Sequence, residues 1–168
     1  MSELILELRD LTATEALGCA IAATARPGDR ILLKGDLGSG KTTLARAIGS
    51  ALHAEPALTS PTFILVSEHQ GEMPIWHADA YRLAVGSDAL GSGIIDERQV
   101  HGITLIEWPE HLTGLDLSGD SVLQVRLTAR PTNEHRGAHL LGVRPELLAA
   151  ISATPAHLGI DIRDGLHG

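Results

Sequence analysis

Residues 35–42, Gly35-Asp36-Leu37-Gly38-Ser39-Gly40-Lys41-Thr42, satisfy G-x-x-x-x-G-K-[ST] at every fixed position. This pattern constrains the fold because its chemistry needs one setting, a buried strand running into the loop and a helix opening out of it. The chain supplies both: the apolar run Ile31-Leu32-Leu33 precedes the loop and an Ala/Leu-rich stretch at 41–52 follows it. Glycines 38 and 40 admit positive φ, so the backbone can curl and aim successive N–H groups at phosphate oxygens. The helix N-terminus adds partial positive charge. Lys41 is placed to reach β- and γ-phosphates, and the Thr42 hydroxyl to ligate a Mg²⁺ bridging them. Only two of the 168 residues are lysine, and one of them is Lys41.

The rest of the chain extends this start into an α/β pattern. A strand is expected at 4–8, then a helix to residue 25 that opens on the capping-box spacing Thr12-Ala13-Thr14-Glu15. Beyond Pro56 the pattern turns extended: strands at 63–67 and 75–79 flank the turn-rich His69-Gln70-Gly71-Glu72 as a hairpin. A Gly/Ser-rich loop at 86–93, a short helix at 95–100, strands at 103–106 and 122–127 and a helix at 145–151 follow. Strands that alternate with helices early and pair as hairpins later predict a single P-loop NTPase-like α/β domain. It would have a mixed parallel and antiparallel sheet flanked by helices, spanning 1–150. Residues 151–168 read as a mobile C-terminal tail.

Composition excludes other classes. A net charge of −8 and four aromatic residues give little basic or stacking surface for direct RNA or DNA binding. The one cysteine, Cys19, forms no internal disulfide, the start has no signal-peptide pattern, and no apolar run is long enough for a membrane helix. A cytoplasmic protein without membrane contact is expected. The nine histidines carry no metal-ligand spacing that would suggest zinc.

A phosphate loop of this kind needs a carboxylate at a strand end for the metal shell and a group to orient or deprotonate the nucleophile. Two expected strands end in acids, Ile103-Thr104-Leu105-Ile106-Glu107 and Ile75-Trp76-His77-Ala78-Asp79. The residues alone leave open which acid serves which role. His77 offers a hydrogen bond to support Asp79, or, as lone histidines more often do, simply satisfies local structure. Ser60-Pro61-Thr62-Phe63 offers hydroxyls for sensing a γ-phosphate, or is simply a proline-directed strand entry.

Four blocks in order, the loop through Thr43, Ser60-Pro61-Thr62-Phe63, His77-Ala78-Asp79-Ala80-Tyr81-Arg82-Leu83 and Ile106-Glu107-Trp108-Pro109-Glu110, closely resemble the TsaE family. These are small bacterial ATPases required for threonylcarbamoyladenosine modification of tRNA. The resemblance spans about residues 4–141. It implies a P-loop fold, an ATP·Mg²⁺ site, and action with TsaB and TsaD, which modify adenosine 37 of tRNAs reading codons that begin with A. The tRNA would be met mainly through that complex, and hydrolysis would support its turnover. By motif, Gly35, Gly38, Ser39, Gly40 and Lys41 would bind phosphate, Thr42 and Glu107 would lie at the metal, and Asp79 would be needed for hydrolysis. Thr43, Thr62 and Trp108 would be nucleotide-site or switch elements. Arg136 would be a further nucleotide contact, implied only by a loose match of 131–139 to the family's late Gly-Arg element. Ser39 stands where the family commonly has alanine, a change that a backbone N–H donor tolerates.

Two other activities compete. P-loop kinases of small molecules share this loop and size, but use an arginine-rich lid; the nearest arginines here are Arg126, Arg130 and Arg136, in or just after an expected strand. A nucleotide-dependent scaffold would bind without hydrolysing.

Overall fold

The computed structural model describes residues 2–60, 64–131 and 134–163. Strand β1 (Glu3–Leu8) buries Leu4, Leu6 and Leu8 on one side, the period-two pattern of a strand covered on one face. Asp10 then caps helix α1 (Leu11–Thr24), its carboxylate accepting the Ala13 N–H at 3.0 Å. The cap therefore lies two residues before the expected Thr12, because Asp10 is extended (φ −161°) and its side chain reaches the free N–H groups of the first turn.

Strand β2 (Arg30–Lys34) has three consecutive buried residues, as a strand covered on both faces does. It leads through the glycine loop into α2 (Lys41–Ala51). The helices α1 and α2 pack closely because residue 18 is glycine, where a Cβ would lie 2.5 Å from that of Ala47. The expected hairpin forms from β3 (Val66–Gln70) and β4 (Pro74–Asp79), paired from Val66 with Ala78 to Gln70 with Pro74. It begins later than residue 63, which lies outside the described residues together with Pro61 and Thr62. A two-residue strand β5 (Ser87–Asp88), a 3-10 turn (Glu97–His101) and β6 (Ile103–Glu107) follow. The 3-10 turn replaces the helix expected at 95–100, since Asp96 caps it and Gly102 ends it.

Beyond β6, β7 (Leu112–Thr113) pairs in parallel with β5. Then come β8 (Val122–Ala129), β9 (Arg136–Leu141), α3 (Pro145–Ser152) and β10 (Ile160–Arg163). The main sheet has the order β10-β1-β9-β8-β2-β6-β4-β3. Its centre, β8-β2-β6-β4, is parallel; β3 closes one edge and β9, β1 and β10 extend the other in antiparallel fashion. The mixed α/β sheet read from the sequence is the one observed.

Two further regions depart from expectation. β9 occupies a stretch not read as a strand. The residues after 150 do not all stand apart from the domain: Ile151 lies in the core, Ile160 packs against it, and β10 pairs with β1 from Leu8–Ile160 to Ile5–Arg163. The folded domain thus extends to residue 163.

The three helices contribute to one large aliphatic core on one face of the sheet, with Leu17, Ile21, Leu44, Ile48, Leu147 and Ile151 meeting the inward residues of the strands. On the other face, Leu32, Ala78 and Ile106 are covered by Ile94, Leu112 and Leu115 from connecting segments. A bidentate bond from Arg144 to Asp29, at 2.7 and 2.9 Å, ties the start of α3 to the turn before β2. Among the described residues no helix is long and apolar enough to cross a membrane.

Candidate functional site

The three central parallel strands β2, β6 and β4 end side by side. Leu33 of β2 pairs with Glu107 of β6, and Glu107 with Asp79 of β4, so the loop and both acids meet at the C-terminal edge of the sheet. Open α/β sheets bind ligands at this edge, because the helices that follow the strands point their N-termini there.

The loop's backbone is set by its glycines. Gly35 has φ 136°, and a Cβ there would fall 2.3 Å from the Leu127 carbonyl oxygen on β8. Gly40 is the N-cap of α2 in the left-handed region, with φ 104°, and no side chain caps that helix. The first-turn N–H groups are thus left for a ligand. Ser39 is buried, consistent with a backbone role, and its N–H donates to the Asp36 carbonyl at 3.1 Å.

Lys41 is 5% exposed. Its Nζ donates to the carbonyls of Gly35 at 2.7 Å and Asp36 at 2.9 Å and lies 4.2 Å from the centre of the Trp108 ring. Burial pulls its pKa down, against the opposing pull of Glu107, Glu110, Asp79 and Asp36. Thr42 Oγ1 shares its hydrogen with both Glu107 oxygens, at 2.8 Å to Oε2 and 3.0 Å to Oε1. A hydroxyl and a carboxylate in contact form an all-oxygen donor set, the kind a hard cation such as Mg²⁺ prefers.

Asp79 lies beside Glu107 on the neighbouring strand, accepting the Tyr81 N–H at 2.9 Å. Burial pushes its carboxyl up; the Tyr81 N–H opposes that, and nearby Glu107 adds to it. Trp108 directly follows Glu107 in the left-handed region (φ 57°), which turns its ring back over the loop. Its ring centre is 5.0 Å from that of Tyr81 and 5.7 Å from that of His111.

These groups surround a cavity of about 420 Å³ lined by Lys41, Thr42, Thr43, Asp79, Glu107 and Trp108, with Gly38 and Arg136 also on its wall. A second cavity of about 400 Å³ shares Gly40, Thr43 and Arg136 with it and extends towards Leu11 and Thr14 at the start of α1. Arg136, the first residue of β9, donates from Nε to the Ser39 carbonyl at 3.1 Å between the two. All the sequence-expected positions except Thr62 line this region or form its loop; Thr62 lies outside the described residues.

One expectation is corrected. His77 does not bond Asp79; its Nε2 lies 2.8 Å from Glu107 Oε1. Residues 77 and 79 share a face of β4, and the diagonal neighbour on β6 is nearer to the ring than the next carboxylate on its own strand. The second cavity was not read from the sequence either, because α1 and β9 reach the loop only through the sheet order.

The chain matches the family model for "Threonylcarbamoyl adenosine biosynthesis protein TsaE" over residues 8–137, a stretch that contains every element of the site. It is 39% identical over 97 residues to the tRNA threonylcarbamoyladenosine biosynthesis protein TsaE of Streptomyces coelicolor, covering 56% of this chain and 66% of that protein. The protein of the same name from Synechocystis is 40% identical over 116 residues, covering 64% and 71%. That from Bacillus subtilis is 39% identical over 97 residues, covering 56% and 60%. The matched stretches thus span about two thirds of the length of these relatives. Among solved structures, that of YdiB from Bacillus subtilis superposes with a TM-score of 0.63 at 25% identity, covering 90% of this chain and 93% of its own. A family-model match over residues 8–137 and relatives at 39–40% identity lead to one conclusion: the chain belongs to the TsaE family of threonylcarbamoyladenosine biosynthesis proteins.

Proposed function

We propose that the chain binds ATP with Mg²⁺ and hydrolyses it, acting with TsaB and TsaD in threonylcarbamoyladenosine modification of adenosine 37 in tRNAs that read codons beginning with A. The observation that carries this reading is the convergence of Lys41 and Thr42 with Glu107 and Asp79 on one cavity at adjacent strand ends.

In this reading the phosphates lie along the 35–42 loop, receiving its N–H groups. Lys41 exchanges its two carbonyl acceptors for the β/γ region of the phosphates, where its charge counts most. Thr42 and Glu107 would hold Mg²⁺, which neutralises phosphate charge and fixes the oxygens in place when bound. Asp79 accepts a proton from the attacking water, a task that its raised pKa favours. The water oxygen bonds to the γ-phosphorus, the bond to the β–γ bridging oxygen breaks, and ADP leaves with that electron pair. The second cavity, which shares Gly40, Thr43 and Arg136 with the first, offers room for ribose and base.

The net charge of −8 favours meeting tRNA through partners rather than alone. A kinase reading has less support: Arg130 is engaged with Glu7 and Arg126 is exposed on β8, leaving Arg82 and Arg136 as the arginines at the cavity.

Reconstitution of tRNA modification from this chain, TsaB, TsaD and ATP tests the proposal. Wild type supports repeated rounds of modification, whereas Lys41→Ala and Asp79→Asn do not. Unimpaired modification with Asp79→Asn would replace hydrolysis by a nucleotide-dependent scaffold role, and transfer of phosphate to a small acceptor would replace it by a kinase. Addition of ATP and Mg²⁺ also changes intrinsic fluorescence, and Trp108→Phe removes most of that change; a response carried wholly by Trp76 would contradict the placement of Trp108.

A further inference from the structure

We infer that His77 is a positioning residue that fixes the Glu107 carboxylate for the metal, an inference that rests on the Mg·ATP reading above. His77 is fully buried and Glu107 is 2% exposed, and they are joined Nε2 to Oε1 at 2.8 Å. His77 pairs in register with Leu105, so Glu107 is its diagonal neighbour on the same face of the sheet. Thr42 meets the same carboxylate from the start of α2.

The two contacts do different work. A terminal carboxylate torsion is broad, with no strong intrinsic preference. The Thr42 hydroxyl brings one hydrogen for two oxygens and does not fix that torsion. The imidazole N–H holds Oε1 and leaves Oε2, the oxygen nearer to the Thr42 hydroxyl at 2.8 Å, for the cation of the metal reading. The other ring nitrogen, Nδ1, is buried with no hydrogen-bond partner among the described residues. The hydrogen therefore belongs on Nε2, because on Nδ1 it would be buried and unbonded. Packing alone does not account for a histidine here: an apolar side chain would fill the site without burying an orphan nitrogen. Carboxylates that bind metals are held by such outer partners, and their loss costs roughly ten- to a hundredfold in metal affinity.

The test is a titration of Mn²⁺, read by electron paramagnetic resonance, into the full chain saturated with a non-hydrolysable ATP analogue. His77→Leu weakens Mn²⁺ about ten- to a hundredfold while the affinity of the folded protein for the analogue without metal holds. His77→Gln, which carries an N–H at nearly the same reach, stays within about threefold of wild type. His77→Asn, whose amide falls short, behaves as the leucine variant does and decides the matter should the leucine variant fail to fold. Wild-type Mn²⁺ affinity in His77→Leu or His77→Asn overturns the positioning role, as does equal loss in His77→Gln. Glu107→Gln separates the two levels: if it too binds Mn²⁺ normally, the metal reading itself falls, whereas if only the His77 variants are normal, that reading stands and the positioning role falls.

Discussion

The parallel and antiparallel halves of the sheet solve different problems. In β8, β2, β6 and β4 the strands run the same way, so their C-terminal ends gather on one edge and bring polar groups together in buried surroundings. Lys41, His77 and Glu107 are all nearly inaccessible there, an arrangement that costs folding free energy unless every group is bonded. Apart from Arg136, which lines the cavities, the polar groups of β9, β1 and β10 lie at the surface in ordinary pairs, such as Glu7 with Arg130 and Asp161 with Arg9, and the inward residues are aliphatic. The first half is arranged for chemistry, and the second widens the sheet so that α1 and α3 have a surface to cover. Substitutions in the two halves should therefore have different signatures.

The largest separation is expected for Lys41→Ala. Removing the only side-chain cation of the loop takes its charge from the β/γ phosphates, and nucleotide affinity falls by roughly a thousandfold with the fold retained. Calorimetric titration with ATP and Mg²⁺ reads this, and an affinity within tenfold of wild type would erase the distinction drawn for the parallel half. Arg144→Ala should do the reverse. It strands Asp29 in a pair whose side chains are 14% and 9% exposed, at a cost of about 3 kcal/mol, so Tm drops by roughly 6–12 °C. Nucleotide affinity of the folded molecule stays as it was, and a parallel loss of binding would show that the two functions of the fold are not separable.

Smaller effects sharpen the same contrast. Ile160→Ser at the start of β10 removes a partly buried contact at the edge of the core, costing about 1 kcal/mol and about 2–4 °C in Tm. No change at all would return residues after 150 to the status of an appendage. At Asp79 the sign reverses. Burial raises its pKa above the unfolded value, so the folded state gains relative stability below the unfolded pKa and loses it as pH rises through the folded pKa. At neutral pH the ionised carboxylate is thus a liability to folding. Asp79→Asn keeps an acceptor for the Tyr81 N–H without that liability and should raise Tm by about 1–2 °C. A fall in Tm would mean that the carboxylate serves the fold.

The two halves also differ in how plainly the sequence announces them. β2, β4 and β6 are apolar runs bounded by turns or acids, and the glycine loop fixes the order strand, loop, helix, so this half reads directly from the chain. β9 begins Arg136-Gly137-Ala138-His139, a polar and small-residue start whose only strand signal is its pairing with β1 and β8. β10 is four residues long with two of them exposed, and its Ile160-Asp161-Ile162-Arg163 alternation is short. The same limit applies at the site. Lys41, Thr42, Glu107 and Asp79 follow from spacing, whereas the bond from His77 to Glu107 depends on β4 and β6 being neighbours, which spacing within either strand does not encode. Arg136 reaches the loop for the same reason, through the β8–β9 pairing rather than through its position in the chain.

The central claim is that the strand-end site breaks the β–γ bond of ATP with Asp79 serving the attacking water. The most direct measurement is phosphate release from ATP and Mg²⁺ under single-turnover conditions, comparing wild type with Asp79→Asn at saturating protein. The account predicts phosphate and ADP in equal amounts from wild type, and release slowed by about a hundredfold or more in Asp79→Asn while ATP remains bound. Equal rates from the two proteins, or no phosphate from wild type that holds ATP, would contradict it.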